Sequence, residues 1–193
     1  MKVAEITLVD QLKSGNASAY RNLVTQFQSR VFNTCLGFVN RSEEAEDLTQ
    51  EVFLEVFRSI SRFKGQSKLS TWIYRISVTK SLEHIRKQGR KKRSGNVCSL
   101  ADLNEKGFDV SGDRLDHPGL QMENKDRSKA LFGAINNLPE NQRVAFTLNK
   151  IDGRSYQEVA EIMETSLGAV ESLIFRARKN LQGSLSSFYR THG

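Results

Sequence analysis

Between Asn16 and Asn40, Tyr20, Leu23, Val24, Phe27, Val31, Phe32, Cys35, Leu36 and Val39 recur at intervals that only a helix gathers onto one face. Asn16, just ahead of this stripe, has the side chain of an N-cap, and Cys35 falls inside the stripe as a core residue. The pattern returns from about Ser42 to Ile60 and from about Ser70 to Gln88, the latter followed by the basic run Arg90-Lys91-Lys92-Arg93. Almost no segment alternates β-branched with polar residues, and only 2 prolines interrupt the chain. An all-α fold is expected.

Residues 94–124 break the pattern, with no sustained period and an acidic excess, and read as a flexible linker. Helical spacing resumes over Arg127 to Asn137, again after Leu138-Pro139, where a proline suits a first helical position, and again after Ser155. With 193 residues, 38% of them hydrophobic, the chain can build two small helical domains, 1–93 and 125–193. The net charge of +7 is segregated: the first domain is strongly basic, the linker acidic, the second domain mildly basic, which favours an anionic partner. No run reaches the roughly 18 apolar residues of a membrane span, and the acids of the N-terminal stretch argue against a signal peptide. A cytoplasmic protein without membrane insertion is expected. Cys35 and Cys98 stand apart, without a CxxC or a neighbouring His, so neither a metal site nor a disulfide framework is expected. His84, His117 and His192 are scattered and read as incidental.

Ser155-Tyr156-Gln157-Glu158 has the form of a capping box, which starts a helix with Val159, Ala160 and Met163 on its apolar face. Glu164-Thr165-Ser166 interrupts it, and Val170, Leu173, Ile174, Ala177 and Leu181 form the next stripe. Short helix, tight turn and second helix make a helix-turn-helix. At about 100° per residue, Ser172, Phe175 and Lys179 point away from the stripe, with Glu171 and Arg176 on the flanks of that outer face. Such a helix can be an ordinary amphipathic one with a solvated charged face. Gly168, Ala169 and Ser172 favour DNA binding, because small residues at the start of an exposed helix admit a groove or a phosphate closely.

A second pattern lies in residues 45–60. Asp47, Gln50, Glu51, Leu54 and Arg58 share one face, while Leu48, Val52, Phe53, Val56, Phe57 and Ile60 occupy the rest. This is either a charged face with one incidental exposed Leu or a docking face for a basic partner helix.

These residues, together with residues 62–93, which carry an F-x-G-x(6)-W-x-Y-R-I pattern, and residues 138–163 from Leu-Pro-Glu to the capping-box helix, resemble bacterial RNA polymerase sigma factors of the extracytoplasmic-function subgroup. The resemblance covers nearly the whole chain. It implies that 1–93 corresponds to sigma region 2 and 125–193 to region 4, joined by the acidic linker 94–124. It implies as partners core RNA polymerase, through its beta-prime clamp and beta flap, promoter DNA at the −10 and −35 elements, and an anti-sigma factor, which an exposed polymerase-binding surface invites. No cofactor is implied. The chain has no phosphate loop, paired-carboxylate metal site or nucleophile-His signature, so it is not expected to be an enzyme.

On this resemblance Asp47, Gln50, Glu51 and Leu54 would bind the polymerase. Phe63, Lys64, Trp72, Arg75, Thr79 and Lys80 would surround the melted −10 strand, since opened DNA asks for aromatic surfaces and for cations on its phosphates. Burial is the expected role of Tyr74, and Trp72 is left open between core and base stacking. Thr79 stands where the family usually has Asn, so the base preference is expected to differ. Ser166, Gly168, Ala169, Glu171, Ser172, Phe175, Arg176, Arg178 and Lys179 would form the −35 surface. Relatives commonly carry Arg at the positions of Glu171 and Leu173; here Leu173 is assigned to the core, and Glu171 is either solvated or accepts from a cytosine amino group. Elements roughly 16 base pairs apart lie about 54 Å from each other at ~3.4 Å per pair, a span that a 31-residue linker covers only when drawn out. A free-standing helix-turn-helix regulator is the alternative, and a nucleic-acid-processing enzyme a more distant one.

Overall fold

The computed structural model describes residues 3–94, 127 and 130–192. Helix α1, Val3–Lys13, was not foreseen; it buries Val9 and Leu12, and its Glu5 carboxylate accepts from the Leu69 N–H at 2.6 Å, capping a later helix from outside. Helix α2 spans Ala17–Val39, with the Asn16 side chain accepting from the N–H groups of Ser18 and Ala19, as its position ahead of the stripe suggested. It ends at Asn40 in the left-handed region (φ 59°), whose N–H returns to the Leu36 carbonyl. Helix α3, Ser42–Ser59, closes in a 3₁₀ turn, Ile60–Arg62. Helix α4, Leu69–Ser94, outruns the expected end at Gln88 and carries the basic run as its last turn. Gly89, a residue that often closes a helix, follows Gln88, but α4 runs through it, and the Lys and Arg beyond are good helix formers that complement the negative C-terminal end of the helix dipole.

In the second half, α5 covers 130–136 and α6 spans Glu140–Phe146. Pro139 sits just ahead of α6, one residue before the position expected for it. A wider π-type turn, Thr147–Ile151, follows, then α7, Tyr156–Met163, and α8, Leu167–His192. The linker expected over 94–124 lies, beyond Ser94, outside the described residues, as do Cys98 and His117. Among the described residues there is no strand, no helix long and apolar enough to cross a membrane, and no cluster of ligands able to hold a metal.

Helix α4 works on both of its sides. Ile73 completes the first core with Leu23, Val31, Cys35, Leu48 and Val52, and Trp72 and Ile76 pack against it. Tyr74, Val78 and Leu82, with Phe38 of α2, enter a second core built by Val144, Leu148, Val159, Val170 and Ile174. A smaller cluster ties Ile135 and Leu138 to Ala177 and Leu181 in the middle of α8. The second half therefore seats directly on α2 and α4 of the first, burying apolar area that neither half could cover alone.

Candidate nucleic-acid and partner interfaces

Helix α3 is built from good helix formers, with Glu43 and Glu44 in its first turn, where the helix dipole favours acids. It buries Ala45, Leu48, Val52 and Val56 and turns Asp47, Gln50, Glu51, Leu54 and Arg58 outward together. Leu54 is 52% exposed. Phe57, which its period places with the residues outside the Asp47 face, is 55% exposed, its ring edge-on to Tyr20 at a centroid distance of 5.2 Å. At about 80° from Asp47 it lies on the flank of the acidic face, close to Gln50, and that angle was the available signal. Gln50 also borders an open groove between α2 and α3, walled by Phe32, Asn33, Glu46 and Thr49. The result is an acidic face with two exposed apolar side chains beside a groove, suited to a basic amphipathic helix.

The residues expected around a melted strand divide. Lys64 and Thr79 are exposed, Trp72 is half-buried, and Phe63 lies in the core with its ring 5.1 Å from Trp72, so Phe63 supports Trp72 from beneath. Tyr74 is buried, as expected. Lys80 reaches Glu55 at 3.3 Å and Glu83 at 3.8 Å. Arg75 turns to the second half: one guanidinium nitrogen donates to the Glu161 carbonyl at 2.6 Å and the other pairs with Glu164 at 2.8 Å. His84, read as incidental, is built into a polar cluster, its Nε2 3.0 Å from a Glu44 oxygen that also accepts from Gln88 at 2.9 Å.

The capping box forms as its sequence implied. Ser155 Oγ accepts from the Glu158 N–H, and the Glu158 carboxylate accepts from the Ser155 N–H at 2.9 Å. That backbone hydrogen bond holds the Glu158 carboxyl below its ordinary range. Glu164 ends α7 in the left-handed region (φ 53°), and Ser166 Oγ accepts from the Ala169 N–H at 3.2 Å at the start of α8. Val170, Ile174, Ala177 and Leu181 are buried, and Leu173 packs half-buried against the second core. On the outer side Ser166, Gly168, Glu171, Ser172, Arg176, Arg178 and Lys179 are exposed, Ala169 is half-buried and Phe175 is 70% exposed. A Cβ at Gly168 would meet nothing within 4 Å, so packing does not demand the glycine. Glu171 has no hydrogen bond or ion pair among the described residues, leaving a bare carboxylate on an otherwise cationic face. Backbone donors, cations and one prominent aromatic on a protruding helix match the needs of major-groove binding.

Residues 23–91 match the Sigma-70 region 2 family and residues 128–181 the Sigma-70 region 4 family. The chain is 34% identical over 187 residues to the ECF RNA polymerase sigma-E factor of Haemophilus influenzae, covering 95% of this chain and 96% of that one. It is 31% identical over 191 residues to the ECF RNA polymerase sigma-E factor of Escherichia coli strain K12, covering 98% of each. In fold it is similar to CnrH in complex with the cytosolic domain of CnrY, with a TM-score of 0.63 and 21% identity over 95% of this chain and 98% of that one. It is also similar to the sigma factor RpoE in complex with the anti-sigma factor NepR from Bartonella quintana, with a TM-score of 0.60 and 22% identity over 86% and 96%.

Proposed function

Because the chain belongs to the extracytoplasmic-function sigma factors of bacterial RNA polymerase, we propose that its two exposed faces divide the family's work, the α3 face docking on the polymerase and the outer face of α8 reading the −35 element. The family's function is the chain's function: it binds core RNA polymerase and directs promoter-specific initiation. Residues 1–93 act as the polymerase and −10 domain and 125–193 as the −35 domain, with the intervening acidic stretch as the connection. Sigma factors are initiation factors, and phosphoryl transfer is left to the polymerase, so this chain carries no activity of its own and works in the cytoplasm.

One observation carries the assignment of faces: Asp47, Gln50, Glu51 and Leu54 are exposed together, with Phe57 beside them, on a helix whose other side is fully used in the first core. A free-standing DNA-binding regulator has no use for such a face. Around the −10 strand, Trp72 offers the aromatic surface, Lys64, Arg75 and Lys80 the cations and Thr79 a hydroxyl, with Phe63 holding Trp72 in place. A partner that covers the α3 face would silence the protein, and an anti-sigma factor fits that description; the Bartonella quintana relative was solved with one.

Run-off transcription from genomic fragments with purified core polymerase tests the reading. Promoter-specific transcripts are expected only with the chain present. The double variant Asp47→Lys/Leu54→Ala is expected to keep its helicity and lose core binding; normal core affinity of that folded variant would move the contact away from α3.

A further inference from the structure

The segment between the 3₁₀ turn Ile60–Arg62 and α4 carries Lys64, and Trp72 follows in the first turn of α4. Its two ends are fixed and its middle is open: Phe63 and Leu69 are 4% and 2% exposed, whereas Lys64, Gly65, Gln66 and Lys68 between them face water. Gly65 turns the chain there at φ 70°, a conformation that other residues rarely take. Phe63 holds one end by packing beneath Trp72.

The other end cannot cap itself. A helix start leaves backbone N–H groups without partners inside the helix, and the residue just ahead of it ordinarily supplies a side-chain oxygen. Here that residue is Lys68, whose side chain has no acceptor, and the Ser67 hydroxyl donates to the Lys68 carbonyl at 3.4 Å. The same carbonyl closes the first turn by accepting from the Trp72 N–H at 3.1 Å. No acid stands in that turn. The missing acceptor comes from 64 residues away: Glu5 Oε1 takes the Leu69 N–H at 2.6 Å, which sets a carboxylate at the positive end of the helix dipole. Helix α1 brings Glu5 there by burying Val9 and Leu12 in the first core and packing on α2 and on the Ile60–Arg62 turn.

We propose that Glu5 is a positioning residue for promoter melting: by capping α4 from α1 it fixes Trp72 and the exposed segment from Lys64 to Lys68 in the arrangement that receives the opened −10 strand. The proposal rests on the sigma-factor reading of that segment. A cap needed for stability alone is available locally, because Ser or Asp at position 68 would supply it. Position 68 instead holds an exposed cation, which suits strand phosphates, and the acid that the helix start needs is carried half-buried on a separate helix.

Trp72 is the single tryptophan of the chain, so its fluorescence reports on the first turn of α4. In the full chain, well below its melting temperature, Glu5→Ala is expected to shift Trp72 emission to the red and raise its quenching by acrylamide. With core polymerase on a promoter fragment, the same variant should lower permanganate reactivity of the −10 thymines about fivefold, the size expected of a lost cap, while core affinity stays within about twofold of wild type. Glu5→Gln keeps an oxygen for the Leu69 N–H but loses the charge, and should show both changes at about twofold; it is the deciding variant where Glu5→Ala does not fold. In a Lys68→Ser chain, whose new hydroxyl can cap α4 locally, adding Glu5→Ala is expected to change either reading by less than about twofold relative to Lys68→Ser alone. Unchanged emission or unchanged permanganate reactivity in the folded variants, a loss of core affinity as large as the loss of melting, or a full effect of Glu5→Ala in the Lys68→Ser chain would each overturn the proposal. Trp72 emission is read on the chain alone, so it tests the cap even if the wild type directs no transcription, a result that would sink the sigma-factor reading instead.

Discussion

At the residue scale the cationic outer face of α8, the proposed −35 surface, carries one acid, Glu171, exposed and without a partner among the described residues. A carboxylate near phosphates is repelled unless it accepts from a base edge. Solvation is the expected state, so Glu171→Gln should tighten binding across a randomised −35 duplex library without changing the preferred sequence. Selectivity relaxed at one base pair, worth about 1–3 kcal/mol, would assign the carboxylate to a cytosine instead. Phe57 gives a second residue-scale test. Exposed beside Leu54, it contributes little to the core, so Phe57→Ala should leave the melting temperature within about 2–4 °C of wild type while weakening core-polymerase binding tenfold or more. Cys35 contrasts with both. Burial pushes its thiol up to about 11, so it stays protonated and unreactive.

At the element scale, α7 is a helix of 8 residues that depends on its ends. Ser155→Ala removes the oxygen that accepts from the Glu158 N–H and should cost about 1 kcal/mol in urea unfolding. The partner carboxylate makes part of this stability pH-dependent. Glu158 has a depressed pKa in the folded chain, chiefly through the Ser155 backbone N–H, so its contribution is complete above the ordinary 4.5 and lost as pH falls through the lower folded value. Melting temperatures of wild type and Glu158→Gln should therefore converge as pH drops below 4.5, the Gln variant being the less pH-sensitive. Helix α4 illustrates another element-scale property. Trp72 and Ile76 were separable from Tyr74, Val78, Leu82 and Ile85 by angle alone, and these two sets pack against two different cores. Its length was not legible, because Gly89 reads as a helix stop that α4 runs through, and the Arg and Lys beyond it do not show in an apolar period.

At the scale of the whole molecule, Phe38 ties α2 to the second core. Phe38→Ala removes a fully buried ring, a change that costs about 3–5 kcal/mol where the site cannot collapse. Because the first core does not include it, calorimetry is expected to show one transition for the wild type and two for the variant, the second half melting first; one cooperative transition with only a lowered midpoint in the variant would mean that the halves unfold together regardless. The sequence by itself determined the helical class, the Asn16 cap, the Ser155–Glu158 box, the buried stripe of α8 and the outward set Asp47, Gln50, Glu51 and Leu54. Each of these follows from a period or from hydrogen bonds spanning three or four residues, which are set within the segment that carries them. What Tyr74 and Val78 pack against and where Arg75 finds its acceptors were decided only by the tertiary structure. Apolar attraction has no direction and an exposed cation no address, so a stripe or a charge in the sequence does not name the surface, distant along the chain, that will meet it.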